Sequence, residues 1–163
     1  MASFNPIEKG VSVELKKIVL AAVAAGIAGG ALAQAKPEDE IRYRQSVMNV
    51  MGRSFGALNA MAKGEAPYTK DAAARNAAIV EMMSGLPAPA FGPGTDKGAP
   101  TKADMKIWSE GEKFKTAYEK MVGEVKKLPA AAGDEATLKA QVGEVGKACK
   151  GCHDDFRLKE FRN

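Results

Sequence analysis

Residues 134–161 read DEATLKAQVGEVGKACKGCHDDFRLKEF. Apolar side chains recur in this stretch at intervals of three and four residues, the spacing that places them on one face of an α-helix. They are Leu138, Val142, Val145, Cys149, Cys152 and Phe156. We therefore predict an amphipathic helix from about Asp134 to Phe161 whose apolar face also carries both cysteines of the chain.

The pentapeptide Cys149-Lys150-Gly151-Cys152-His153 contains both cysteines and the only histidine. The pattern C-x-x-C-H is the attachment signature of c-type haem. Because a helix turns by about 100° per residue, the two thiols lie on one face and the imidazole lies beside them. The thiols can form thioethers with the haem vinyl groups, and the imidazole can bind the iron. We predict one covalent haem c with His153 as its metal ligand.

Three other interpretations of this motif stay open. A redox dithiol would use C-x-x-C without the histidine, but such motifs usually follow a strand, and no strand is predicted in this chain. A structural disulfide is compatible with an oxidising compartment. A metal site would need further ligands, which the chain mostly lacks.

Composition excludes several classes of protein. The chain has 163 residues, which corresponds to one domain. Its formal net charge of +4 is too small for a nucleic-acid footprint, so no nucleic-acid partner is predicted. Two cysteines and one histidine exclude multi-ligand zinc sites and a disulfide framework.

Residues that break helices, mainly proline and glycine, divide the rest of the chain into further helical segments. The first begins near Pro37 and ends at residues 63–67, and the second begins near Thr69 or Asp71 and ends at residues 84–87. Both are predicted in addition to the helix that carries the cysteines.

A long loop rich in proline and glycine, residues 87–100, precedes the third helix. This helix is predicted to begin at residues 101–104, and Pro129 and Gly133 bound its end. With the segment that carries the cysteines, this makes four amphipathic helices with mostly short links. The pattern predicts an all-α fold, an antiparallel four-helix bundle.

The start of the chain has the pattern of an export signal. Lys16 and Lys17 precede an uncharged run, residues 18–33, that ends in Ala31-Leu32-Ala33. A basic start, a short apolar run and an A-x-A end are typical of a secretory signal peptide. We predict cleavage after Ala33, or after Ala35, a haem domain of residues 34–163 and a periplasmic location. An uncleaved membrane anchor is the alternative, but the run is short for a membrane span, so no stable membrane insertion is expected.

The face of the haem opposite His153 must be met by residues earlier in the chain. Ten residues follow His153, and none of them is methionine or histidine. The first helix is the natural candidate in a bundle, and its apolar face contains Met48 and Met51. Methionines and aromatic residues at helical spacing are more often plain core, so only Met48 is interpreted as lining the ligand site. Phe91 and Trp108 are interpreted as core or loop packing.

An export signal, four helices and a C-x-x-C-H motif near the end resemble the class II c-type cytochromes, and cytochrome c-prime most closely. The resemblance covers essentially the whole of the chain after the signal. It is strongest at residues 36–39 (KPED), 43–46 (YRQS), 63–68 (KGEAPY), 91–95 (FGPGT) and 107–109 (IWS), and at the haem motif followed by Phe156-Arg157.

The resemblance implies a five-coordinate, high-spin iron that binds nitric oxide and carbon monoxide, transfers electrons to an unidentified redox partner, or does both. It implies that Met48 closes the far side of the haem and that Arg44 and Gln45 lie by the haem propionates. It also implies that Arg157 flanks the side on which His153 binds. Members of the family are commonly homodimers packed through their first two helices.

A low-spin branch of the class II cytochromes has an iron-ligating methionine in the same part of the first helix, and residues 52–68 resemble that branch as well. With Met48 on the iron, the protein would be a His/Met electron carrier closed to gases. Apart from the resemblance, Arg44 is interpreted as a solvated helix charge paired with Glu40, and Arg157 as a surface charge. No distal histidine is left for acid–base catalysis, so no enzyme activity is expected.

Overall fold

The computed structural model describes residues 35–162. The predicted signal peptide, residues 1–33, lies outside the described residues. None of the described helices is both long enough and apolar enough to cross a membrane. The elements are α1 (Pro37–Lys63), α2 (Lys70–Ser84), a 3₁₀ turn (Ala88–Phe91), β1 (Thr101–Ala103), α3 (Lys106–Ser109), α4 (Gly111–Val125), α5 (Leu128–Ala131), α6 (Glu135–Phe156) and β2 (Arg157–Arg162).

The four long helices, α1, α2, α4 and α6, form an antiparallel four-helix bundle, which confirms the predicted fold. Each helix packs against the next one along the chain, and α1 also packs against α6, so that the ring of helices closes. The core is aliphatic and includes Leu58, Val80, Val125, Leu138 and Val145, each at most 1% exposed. Burial of such a side chain contributes about 1.5–3 kcal/mol, so the bundle is held mainly by this core.

Local signals explain where α1 and α2 begin and end. Pro37 starts α1, and three acidic residues, 38–40, occupy its first turn, where the helix dipole favours negative charge. Gly64 ends α1 with a φ of 74°, a left-handed conformation that glycine adopts without steric cost. The Thr69 hydroxyl accepts a hydrogen bond from the first turn of α2, as an N-cap does.

Strands β1 and β2 form a two-stranded antiparallel sheet, so the prediction of a chain without strands is wrong. Thr101 pairs with Arg162, and Ala103 pairs with Arg157. The predicted end of the last helix at Phe161 is also wrong. The helix ends at Phe156, whose carbonyl accepts a hydrogen bond from the backbone N–H of Asp104 at 2.9 Å.

The start of the third helix is likewise later than predicted. Residues 101–103 are extended in β1, and helix begins only at Lys106, whose N–H donates to the Asp104 carboxylate at 2.9 Å. Glu110, with φ −122° and ψ 45°, then separates α3 from α4. The pairing that extends residues 101–103 joins segments far apart in the chain, so local periodicity does not reveal it.

The loop of residues 87–100 lies against the start of α1. Gly98 has a φ of 115°, and a Cβ atom on it would lie 3.4 Å from Cβ of Pro37. The positive φ favours glycine at this position, and the distance shows that the loop is in van der Waals contact with Pro37. The loop is therefore fixed on α1, beside the residues that form one end of the site described below.

Candidate functional site

One face of helix α6 borders a cavity inside the bundle. Cys149, Cys152 and His153 all line this cavity, and the two cysteines are partly buried. Their sulfur atoms are not joined in a disulfide. Lys150, between the cysteines, is exposed and forms an ion pair with Asp154. The structure therefore brings the three predicted haem-binding groups together on one wall.

The electrostatics of this wall do not fit the redox-dithiol interpretation. Burial raises the pKa of Cys152 to about 11, and the neighbouring Cys149 and Asp155 add to the shift. Burial also raises the pKa of Cys149. Redox-active dithiols have a lowered thiol pKa, because the thiolate is the reactive form. His153 is exposed as a whole residue, but partial desolvation of its ring and the positive charge of Arg157 lower its pKa, which favours the neutral form that binds a metal.

The metal-site interpretation lacks the ligands that it needs. Within residues 35–162, no three histidine, cysteine, aspartate or glutamate side chains lie close enough together to hold an ion. His153 and the two cysteines are too few for a closed structural zinc site.

The cavity has a volume of about 570 Å³, within the range of about 300–1,000 Å³ that is usual for ligand and cofactor sites. All four long helices contribute to its lining, which is mostly apolar. Two thiols and a neutral imidazole on one wall of a large apolar cavity fit a covalently attached haem. The apolar lining includes Met48, Met51, Phe55, Val80, Phe91, Phe114, Tyr118, Met121, Val125, Val145 and Phe156.

Several of these side chains are predicted as plain core or loop packing, and they do belong to the core or pack against it, but they also line the cavity. Phe114 is the centre of an aromatic group, with ring centroids 5.0 Å from Phe91 and 5.4 Å from Phe156, both edge to face. Tyr118 lies next to it, with the ring centroids 5.8 Å apart. Core and cavity-lining residues share one spacing, because both point into the bundle, and no signal in a single sequence separates them.

Arg44 is buried, only 2% exposed, so its interpretation as a solvated helix charge is wrong. Its Nη1 group donates hydrogen bonds to the carbonyl oxygens of Ala90 at 2.9 Å and Thr95 at 2.8 Å, both in the loop. Its guanidinium carbon lies 4.7 Å from the centre of the Phe91 ring. Burial lowers the pKa of Arg44 to about 10, so the side chain stays charged at neutral pH. Arg44 thus joins α1 to the loop.

The other residues expected in the site also lie at the cavity. Gln45 lines it, and its Nε2 donates to the carbonyl of Pro100 at 2.9 Å. Met48 is partly buried in the lining. Arg157 is exposed, lines the cavity and directly follows the end of α6. The roles of Arg44 and Gln45 toward propionates, of Met48 above the iron and of Arg157 beside it stay predictions.

Comparison with known proteins gives consistent results. A family model described as Cytochrome C' matches residues 39–157, so most of β2 lies beyond the match. Cytochrome c' of Rubrivivax gelatinosus is 51% identical over 126 residues, which cover 76% of this chain and 98% of that protein. Its crystal structure superimposes with a TM-score of 0.73 over 75% of this chain and 97% of that one.

A second solved structure extends the comparison to a bound ligand. It is the nitric oxide complex of a leucine-to-alanine variant of cytochrome c prime from Alcaligenes xylosoxidans. That chain is 41% identical to this one, with a TM-score of 0.72 over 78% of this chain and 99% of its own.

Proposed function

Because the chain belongs to the cytochrome c′ family, we propose that it is a periplasmic haem protein whose five-coordinate, high-spin iron binds nitric oxide and carbon monoxide. Haem c is the cofactor of the family. The observation that carries the proposal is the placement of Cys149, Cys152 and His153 on one wall of an apolar cavity that also contains Met48. The nitric oxide complex of the Alcaligenes relative supports the same class of ligand.

In this proposal the residues of α6 hold the cofactor. Cys149 and Cys152 bind it through thioethers, and His153 supplies the proximal imidazole. When bound, haem c provides an iron that coordinates diatomic gases and exchanges single electrons. Exchange of electrons with an unidentified redox partner is part of the same proposal.

Three polar side chains of the lining, Arg44, Gln45 and Tyr118, already form hydrogen bonds with the backbone of the fold, and this supports selectivity for gases that need no hydrogen bond. Tyr118 donates its hydroxyl proton to the carbonyl of Ser84, and burial raises its pKa to about 12. Arg44 and Gln45 donate to carbonyls of the loop. Since the only histidine is used on the proximal side, bound dioxygen lacks a distal imidazole donor. We expect weak binding of dioxygen beside binding of nitric oxide and carbon monoxide, and no catalytic turnover.

Optical and spin-resonance spectra of the periplasmically expressed protein, with and without carbon monoxide, test the proposal. We expect a high-spin ferric spectrum and a ferrous spectrum that shifts when carbon monoxide is added. A second function is electron transfer with Met48 as the sixth ligand of the iron. The position of Met48 in the cavity lining favours it. A low-spin spectrum that carbon monoxide does not change would replace gas binding with that function.

The location is tested by separating periplasm from cytoplasm and by sequencing the N-terminus of the exported protein. We expect the haem protein in the periplasmic fraction, with a first residue that follows Ala33 or Ala35. A protein that keeps residues 1–33 and sediments with membranes would show instead that the segment is an anchor.

A homodimer through α1 and α2 is the quaternary structure that we propose. Large apolar side chains are exposed along these helices and just after them, which is typical of a surface that is covered in an assembly. They are Tyr43, Val50, Ile79, Met82 and Leu86.

Substitution of this surface is expected to separate the subunits. Val50→Glu, at a position 47% exposed, places a charge in the interface and should raise the Kd of the dimer by about tenfold or more. Met105→Glu is the matched control, because Met105 is 48% exposed but lies outside both helices. Sedimentation equilibrium measures the dimer Kd of both variants. Equal Kd values for the two variants would place the interface elsewhere.

A further inference from the structure

The two-stranded sheet, residues 101–103 and 157–162, carries the net charge of the described chain. Residues 35–162 contain 21 basic and 18 acidic side chains. The sheet has four basic residues and one acidic residue, so the remaining described residues include 17 of each sign. Charges of one sign that are gathered in one place attract ions and surfaces of the opposite sign. The sheet is therefore the part of the described surface to which an anionic partner is drawn.

The same sheet borders the cavity. Lys102, Arg157 and Phe161 are among the residues that line it. Arg157 and Lys159 are exposed, and Phe161 is 62% exposed although it lines the cavity. The basic groups of the sheet thus lie beside the proposed cofactor site, at a place that a partner can reach from solvent.

Contacts within the sheet hold an apolar ring among these charges. The ammonium group of Lys102 lies 4.9 Å from the centre of the Phe161 ring and donates a hydrogen bond to the carbonyl of Lys159 at 2.7 Å. A side chain that is already fixed loses less entropy when a partner binds. Protein interfaces have an apolar centre, often aromatic, inside a polar rim. Contact with a membrane surface usually takes a whole apolar helix face, whereas Phe161 is the only large apolar side chain exposed on the sheet.

We propose that the sheet is the docking surface for the redox partner of this protein, and that the partner is a one-electron carrier protein with an acidic contact surface. The inference rests on the electron exchange in the proposed function. In the docked pair one electron changes sides, so that one redox centre is oxidised, the other is reduced and no atoms are transferred. The two propionates of a bound haem would lower the positive charge at this end, but the sum over the sheet stays positive.

Two small oxidants of opposite charge test the docking surface on the haem-loaded ferrous protein. Each takes one electron: hexacyanoferrate(III) is a trivalent anion, and tris(phenanthroline)cobalt(III) is a trivalent cation. We expect Lys159→Glu to lower the rate constant for hexacyanoferrate by about tenfold at low ionic strength and to raise that for the cobalt complex. The differences should vanish in about 1 M salt, where the screening length is about 3 Å. Stopped-flow absorbance of the haem measures these rates.

Lys139→Glu is the matched control, because Lys139 is also exposed and lies about 25 Å along α6 from Phe156, where the sheet begins. Both of its rate constants should stay within about twofold of the wild type, since the distance exceeds the screening length at about 0.1 M salt. Equal effects of Lys159→Glu and Lys139→Glu would overturn the proposal. A wild-type rate with hexacyanoferrate that added salt does not lower would overturn it as well, whether or not the variants fold.

Poly-L-glutamate and vesicles of phosphatidylglycerol distinguish an acidic protein from an anionic membrane. We expect poly-L-glutamate to slow the oxidation of the wild-type protein by hexacyanoferrate and to have a weaker effect on Lys159→Glu. Inhibition by the vesicles alone would make the sheet a membrane contact and overturn its assignment to a protein. Haem-loaded protein that neither reagent oxidises would overturn the proposed electron exchange together with this inference. Oxidation by both reagents at rates that the sheet does not influence overturns only the docking surface.

Discussion

Replacement of Arg44 by leucine is expected to lower the free energy of unfolding by about 3 kcal/mol. The carbonyl oxygens of Ala90 and Thr95 accept hydrogen bonds from its Nη1 group and would lose this donor. Both residues are buried, and each buried acceptor that is left unpaired costs about 1–3 kcal/mol. Leucine fills part of the space but cannot donate. Urea denaturation followed by circular dichroism of the haem-loaded protein measures the difference.

Arg42→Leu is the control for this experiment, because Arg42 lies two residues earlier on the same helix and its side chain is 72% exposed. Its ion pair with Asp39 is a surface pair, so the expected change is below about 0.5 kcal/mol. Arg44→Lys should recover only part of the stability, since an ammonium group cannot span the acceptors that the planar guanidinium reaches. A loss of less than about 1 kcal/mol in Arg44→Leu would show that Arg44 does not fix the loop on α1.

Met48→Ala is expected to accelerate the binding of carbon monoxide to the ferrous protein by between about tenfold and a hundredfold. In the proposed site a gas must displace the Met48 side chain, which is partly buried and packed against the core. Burial of a methionine side chain contributes about 1.5–3 kcal/mol, and 1.4 kcal/mol corresponds to a factor of ten. Alanine removes this obstacle. Stopped-flow mixing of the reduced protein with carbon monoxide measures the rate.

Met105→Ala serves as the matched methionine substitution, because Met105 is 48% exposed and lies outside both the cavity lining and the proposed interface. Its association rate should equal that of the wild type. An unchanged rate in Met48→Ala would remove Met48 from the gas path. The two proposed functions are separated by the wild-type protein, since a high-spin spectrum makes Met48 a steric obstacle and a low-spin spectrum makes it a ligand.

Much of the bundle follows from local patterns. Pro37, Gly64 and Thr69 mark helix ends by their own backbone and capping properties, and the structure places the ends there. The chain between residues 101 and 109 was predicted less well, because Thr101 and Ala103 are held extended by pairing with β2. A pairing partner more than fifty residues away overrides the local preference for helix.

In the site, too, some residues are predictable from local sequence and others are not. Cys149, Cys152 and His153 were predicted from their spacing, and they lie on one cavity wall. Phe114 and Tyr118 have the spacing of core residues and line the cavity as well, which the spacing alone does not show.

Local sequence is enough to specify the helical architecture and the chemistry of attachment, because the periodicity of a helix and the i, i+3, i+4 geometry of C-x-x-C-H are properties of neighbouring residues. The surroundings of that motif depend on packing between distant segments. Arg44 is buried because carbonyl oxygens of a distant loop accept its hydrogen bonds, and Arg157 and Phe161 line the cavity on a strand that pairs with β1. Such contacts join residues about fifty positions apart, and they form only when the whole bundle closes.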